Sequence, residues 1–219
     1  MLLSLSALLA PTAASAQNTS TAATKVRIST SMGAIEAELY ADKAPKTVAN
    51  FVQYVNDMHY DGLIFHRVIP GFMVQGGGYD GQYRERKTRA PVTHEGRQAL
   101  AAGLKNTTGT LAMARTNDPQ SATAQFFINV VDNAFLDPTP IPDGDPVAKF
   151  QYQGRVYENV ARAQLLNAPQ LFGYTVFGKV TSGMDVLQKI RTTPTGAGGP
   201  FSSDVPKAPV IIQSITLLK

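Results

Sequence analysis

The chain contains no cysteine. Disulfides, thiol nucleophiles and cysteine-ligated metals are therefore excluded, and a thiol-free chain is safe in an oxidising compartment. Its charge is nearly balanced: Lys+Arg number 20 and Asp+Glu 16, a formal net charge of +4 at pH 7. So small an excess gives no nucleic-acid binding without a concentrated basic face. The one basic run, "RERKTR" at Arg84–Arg89, contains a glutamate and reads as a solvated loop. His59, His66 and His94 are not spaced as metal ligands, so no metal is expected. The nucleophile-elbow pattern G-x-S-x-G does not occur. "GGGYDG", 76–81, matches the G-x-G-x-x-G pattern of dinucleotide sites. The next ten residues, "QYRERKTRAP", have no apolar helical face, so the motif reads as a turn after a strand and no cofactor is expected.

What is present is an ordinary globular chain. Its 219 residues suit one domain, with 43% hydrophobic and 16% charged residues. The first residues hold "LLSLSALLA", an apolar run of signal-peptide length, followed by the small-x-small pattern Ala14–Ala16. The run is too short to span a bilayer, and no later segment approaches that length. We expect residues 1–16 to be a signal peptide and 17–24 a flexible leader. No Lys or Arg precedes the apolar run, which leaves room for a start codon upstream. The expected location is periplasmic or secreted, with no membrane insertion after cleavage.

The rest of the chain alternates short apolar runs with turn signals. "KVRIST" and "GAIEAELY" have period two and predict a hairpin around Ser31–Gly33. In "PKTVANFVQYVND" the period changes: Val48, Phe51, Val52 and Val55 share a helical face, and Pro45 suits a first-turn position, so a helix is predicted over 45–57. Further strands are predicted at 63–69, 71–76, 109–114, 125–131 and 174–180, with "VIIQSITLL" closing the chain. Ser182 and Asp185 resemble a capping box that opens a second helix. "GAGGPFSSDVPKAP" reads as a loop. Many short strands and two helices predict a closed β-barrel with helical plugs.

One stretch stands apart. "FHRVIPGFMVQGG", 65–77, is apolar and β-forming, with Arg67 in its midst. Arginine keeps its charge, and burying it unpaired is costly. This stretch resembles the signature of the cyclophilin-type peptidyl-prolyl isomerases. So do "GTLAMAR" (109–115), "SATAQFFINV" (121–130), "NAFLD" (133–137) and "VFGKVTSGMDVLQKI" (176–190), in the same order. The likeness runs from Lys25 onward and is nearest to the bacterial periplasmic branch. It implies a mainly β fold, a closed eight-stranded antiparallel β-barrel capped by two α-helices, and the acceleration of X-Pro bond rotation. The partners implied are proline-containing peptides and unfolded exported proteins.

The chemistry suits the residues. Amide resonance sets a barrier of about 18–20 kcal/mol to rotation. Rotation needs no nucleophile and no cofactor, only a weakened resonance. As the bond twists, the prolyl nitrogen regains a lone pair, and a donor aimed at it binds the twisted state alone. Arginine always donates, through a rigid fork. The resemblance makes Arg67 catalytic and has Gln75 orient it. It gives Phe72, Met73, Phe127 and Leu136 to the pocket for the proline ring, and Gln125, Ala114 and Arg115 to the peptide backbone. His66, Phe135 and Tyr174 complete the substrate-binding set. From the residues alone, His66 reads as a satisfied structural histidine rather than a general base. Periodicity adds that Phe126, Ile128 and Val130 share one face while Phe127 points to the other, where a pocket or a covering loop must meet it. Arg67 is not enough by itself: a charge-assisted hydrogen bond contributes about 1.5–3 kcal/mol, whereas a 10⁵-fold acceleration needs about 7 kcal/mol.

The sequence also departs from the family. Phe135 stands where many eukaryotic members carry tryptophan, and the chain has no tryptophan. The resemblance assigns the indole N–H to cyclosporin binding, so weak cyclosporin inhibition is expected. Tyr174 holds a position that is often histidine, and Arg115 one that is often asparagine. From Pro138 to Leu171 runs an insertion. It opens "PTPIPDGDP", and "RVYENVARAQLL" within it predicts a short helix. It is expected to act as a flap or docking surface, or else to be a passive decoration. The alternative to an enzyme is a non-catalytic proline-peptide-binding or chaperone module on the same barrel.

Overall fold

The computed structural model describes residues 23–218. The expected signal peptide and nearly all of the leader lie outside these residues. The elements, in chain order, are β1 (Thr24–Thr30), β2 (Gly33–Leu39), α1 (Pro45–Asn56), β3 (Arg67–Ile69), β4 (Met73–Gly76), α2 (Gly96–Ala101), β5 (Thr110–Met113), β6 (Phe126–Asn129), β7 (Val147–Tyr152), β8 (Arg155–Val160), α3 (Arg162–Asn167), β9 (Val176–Ser182), α4 (Met184–Arg191), β10 (Thr195–Gly198), β11 (Phe201–Pro206) and β12 (Ile212–Leu218). The mainly β expectation holds.

Eight strands form one antiparallel sheet in the order β12-β1-β2-β9-β5-β6-β4-β3. Two expectations are corrected here. The sheet is open and curled, not a closed barrel, because its edge strands β3 and β12 do not pair. Among the described residues, the irregular segment before β3 spans the seam: Gly62 N–H donates to Ile212 C=O at 2.8 Å, and Phe65 N–H to Val210 C=O at 2.9 Å. The helices number four among the described residues, not two.

The core lies inside the curl, where period two puts Val26 and Ile28, Ile35 and Ala37, Leu111 and Met113, and Phe126 and Ile128. Helix α1 plugs one end. Phe51 sits 5.1–5.5 Å, centroid to centroid, from the rings of Tyr60, Phe126 and Phe177. Pro45 opens this helix, as expected, but no local side chain caps it. The buried Glu95 does so from afar: its carboxylate accepts from the backbone N–H groups of Lys46 (3.0 Å) and Thr47 (2.8 Å).

Three local readings also change. Helix α4 has no capping box. Its N-cap is Gly183 at φ +84°, pressed so close to β2 that a Cβ there would lie 2.3 Å from Ala34 O. The glycine-rich stretch after α4 is not a loop but the β10–β11 hairpin. "RVYENV" is strand β8, paired with β7 around a turn in which Gln153 and Gly154 both have positive φ; the helix is confined to Arg162–Asn167. The helical spacing of Val156, Val160 and Ala163 yields to β-branched residues that can pair with a neighbouring strand. The basic run is a loop with Arg84, Glu85 and Lys87 exposed, as expected, but two of its arginines turn inward. Arg86 donates to the carbonyls of His59 and Asp61, and Arg89 lies 4.1 Å over the Tyr54 ring.

Candidate active site

The outer face of β4, β5 and β6 carries a second, smaller apolar cluster of Met73, Ala112, Phe127, Leu136 and Val176. Alternation puts Phe127 there, opposite the core face of Phe126 and Ile128. A groove of about 420 Å³ opens above it, lined by Arg67, Phe72, Met73, Gln75, Ala114, Arg115, Phe127, Phe135, Leu136 and Tyr174. All of these are among the residues singled out in the sequence. The other two, His66 and Gln125, line adjoining grooves that share Arg67 on one side, and Gln75, Ala114 and Arg115 on the other. Phe127 is thus met by both alternatives at once: Tyr174 covers it edge-on at 5.5 Å, and the groove opens beside that ring.

A buried polar network holds the far wall. Asn133 Nδ2 donates to Phe72 C=O (2.9 Å) and to Asn129 Oδ1 (2.7 Å). Asn129 Nδ2 donates to Thr110 Oγ1 (2.9 Å), and Asp137 Oδ1 accepts from both the backbone and the side chain of Asn106 (2.7 and 2.9 Å). These bonds fix the short 3-10 turn Ala134–Leu136, which presents Leu136 to the groove. Phe135 stands out of it, 75% exposed, and stacks on Phe72 at 5.5 Å.

Arg67 and Gln75 face each other across the β3–β4 ladder. Gln75 Nε2 donates to Gln125 Oε1 at 3.0 Å. The Gln125 side chain fits because residue 78 is glycine, where a Cβ would lie 2.5 Å from the amide. The pairing partner of Arg67 is instead Asp204, which sequence reasoning did not single out: Nε lies 4.0 Å from Oδ2, and the arginine side chain is 44% exposed. Asp204 sits in the stretch read as a loop, and the one signal for it was Phe201, a large aromatic among glycines and serines. Arg115 folds back, with Nε donating to Gly173 C=O at 3.0 Å and the guanidinium 4.6 Å from the Tyr174 ring centre.

His66 is 3% exposed and stacks on Phe201 at 5.4 Å. Burial, and next the Arg67 charge, lower its pKa to about 4. It is a neutral aromatic wall at pH 7, not an acid or base in waiting. Among the described residues no His, Asp and Glu side chains group as a metal site would require. The groove offers an apolar floor, a polar amide pair and one half-exposed guanidinium.

A profile of the family described as cyclophilin type peptidyl-prolyl cis-trans isomerase/CLD matches residues 25–217. The chain belongs to the cyclophilin-type peptidyl-prolyl cis-trans isomerase family. Its relatives include peptidyl-prolyl cis-trans isomerase A of Dickeya dadantii, 44% identical over 91% of this chain and 87% of that one. Peptidyl-prolyl cis-trans isomerase B of Escherichia coli is 43% identical over 88% and 98%. The fold is shared with a Cryptosporidium parvum cyclophilin, solved in the presence of the dipeptide Ala-Pro, at a TM-score of 0.55 and 24% identity over 89% of this chain and 99% of that one. The bacterial relatives agree with the bacterial part of the branch expected from the sequence blocks. The family is one of enzymes, and its activity, isomerisation of the prolyl peptide bond, is that of this chain.

Proposed function

We propose that the Phe127 groove seats the proline ring of an X-Pro segment and that Arg67 donates to the prolyl nitrogen as the bond leaves planarity. The observation that carries this reading is Arg67 itself, a permanently charged donor left half-exposed on the rim of an apolar groove. Met73, Phe127 and Leu136 form the floor for the ring. The donor meets its acceptor only when the nitrogen pyramidalises, so it acts on the transition state and hardly on the planar ground state. Gln75 and Gln125, bonded to each other, offer amide groups to the peptide backbone, as does the Ala114–Arg115 main chain. In the direct test, a protease-coupled assay on a proline tetrapeptide is run beside calorimetric peptide binding. Arg67→Ala loses most turnover and keeps binding; near-normal kcat/KM in that variant overturns the assignment.

The remaining roles extend this reading. Residues 1–16 act as an export signal and 25–219 as one isomerase domain that serves exported proteins outside the cytoplasm. No helix among the described residues is long and apolar enough to cross a membrane. Phe135 offers a bare ring where an indole N–H would donate, so cyclosporin binds weakly; nanomolar inhibition in the same assay overturns that expectation. The insertion, of which no residue lines the groove, is a flap or docking surface beside it or a passive decoration.

A further inference from the structure

Arg67 needs something to hold it. Its side chain sits half-exposed on a three-residue edge strand, and no hydrogen bond engages its guanidinium among the described residues. A long side chain in that setting samples many rotamers, and few of them aim the fork into the groove. Gln75, the neighbour expected to orient it, donates through Nε2 to Gln125 Oε1 and makes no hydrogen bond to Arg67 in this structure.

The β10–β11 hairpin supplies the missing constraint. It is fastened at Phe201, whose ring stacks on His66 at 5.4 Å and meets Tyr79 edge-on at 5.2 Å. Strand β11 then packs against β3. The hairpin register breaks between Gly196 and Gly198, and Asp204 lies on the strand facing that break with φ at +65°. Few non-glycine residues adopt this conformation, and aspartate is among those that do. Such irregularities re-aim a side chain. Here the result is a carboxylate 4.0 Å from Arg67 Nε, itself held by a 3.0 Å hydrogen bond from Ser203 Oγ. The approach is to Nε, the inner nitrogen, which leaves the terminal Nη groups free for the groove.

We propose that Asp204 is the positioning residue of Arg67, a hairpin-borne carboxylate that keeps the guanidinium turned toward the groove without touching the substrate. This rests on the reading of Arg67 given above. The experiment compares wild type, Asp204→Asn, Asp204→Gly and Arg67→Ala on an uncharged proline tetrapeptide. Both Asp204 variants keep the left-handed backbone available, and near-UV circular dichroism checks that each is folded. An exposed ion pair of this kind sets the scale: Asp204→Asn and Asp204→Gly lower kcat about two- to fivefold with KM unchanged. At about 1 M NaCl the wild type falls toward the variants, whose rates stay level, because the pair is screened. ¹⁵Nε relaxation of Arg67 shows faster motion in Asp204→Asn. Wild-type kcat in both variants overturns the proposal and leaves Asp204 a former of the bulge. A loss confined to KM overturns it too, because the carboxylate would then be reading the substrate. Full activity in Arg67→Ala defeats the reading of Arg67 instead, so the two failures are distinct.

Discussion

The groove around Arg67 and the 138–171 insertion both show aromatic rings to solvent, yet they are held in different ways. Phe72, Met73 and Phe127 stand on or beside strands of the large sheet, and buried asparagines brace the wall behind them. The insertion buries its own small core of Val147, Phe150, Leu165 and Leu171 between the β7–β8 hairpin and α3. Its outer strand leaves Val156 and Tyr157 exposed. Polar threads tie this unit to the rest. Arg97, on α2, donates to Leu166 C=O at 2.9 Å and lies 4.4 Å over the Phe172 ring; within the insertion, Thr139 N–H donates to Leu171 C=O at 3.0 Å and draws its two ends together. The contrast teaches that two regions joined in sequence can be nearly independent in energy. A separate core lets one loosen while the other keeps its geometry.

That independence can be broken or sharpened by substitution. The largest effect belongs to the groove. Arg67→Ala removes one charge-assisted hydrogen bond to the twisted amide, about 1.5–3 kcal/mol, and lowers kcat/KM about 10- to 150-fold in the protease-coupled assay. Next comes the insertion core. Phe150→Ala costs about 3–5 kcal/mol locally, and limited proteolysis should then cut within 138–171. Tetrapeptide turnover should stay within about twofold of wild type; a parallel loss of activity would join the two regions.

Smaller is the effect at the joint between them. Arg115→Ala frees Tyr174 and the Gly173 carbonyl, one hydrogen bond of about 1 kcal/mol, and should raise KM a few-fold with kcat unchanged. The smallest effect is on the pH profile. Burial lowers the pKa of both His66 and His94 from 6.5 to about 4. Above pH 6.5 each is neutral folded or unfolded and leaves stability unchanged. As pH falls from 6.5 to about 4 the unfolded chain gains protons first, so stability is lost across that window. Turnover of folded enzyme should stay flat from pH 8 to about pH 5, with the melting temperature falling below 6.5; a bell-shaped kcat centred near pH 6.5 would restore His66 as an acid or base.

The groove was legible because it is written in contiguous blocks. "FHRVIPGFMVQGG" carries Arg67, Phe72, Met73 and Gln75 within one hairpin, and "QFFINV" shows by alternation alone that Phe127 leaves the core. Asp204 was not legible. It reaches Arg67 across more than half the chain, from a strand whose glycines and serines resemble a loop, and its aim comes from a register break that no local pattern records. The insertion was misread for a related reason. Val156, Val160 and Ala163 suit a helical face as well as a strand, and only the partner strand β7 decides between them. Closure of the barrel failed on a long-range term also, since nothing in β3 or β12 alone says whether the two will meet.

The seam between β3 and β12 has a consequence for the working life of the enzyme. The guanidinium hangs from a strand of three residues with one regular neighbour, β4, and three or so hydrogen bonds across an irregular join. That corner is expected to open ahead of the rest of the large sheet on warming, and faster hydrogen exchange at the β3 amides than at those of β1 and β2 checks it.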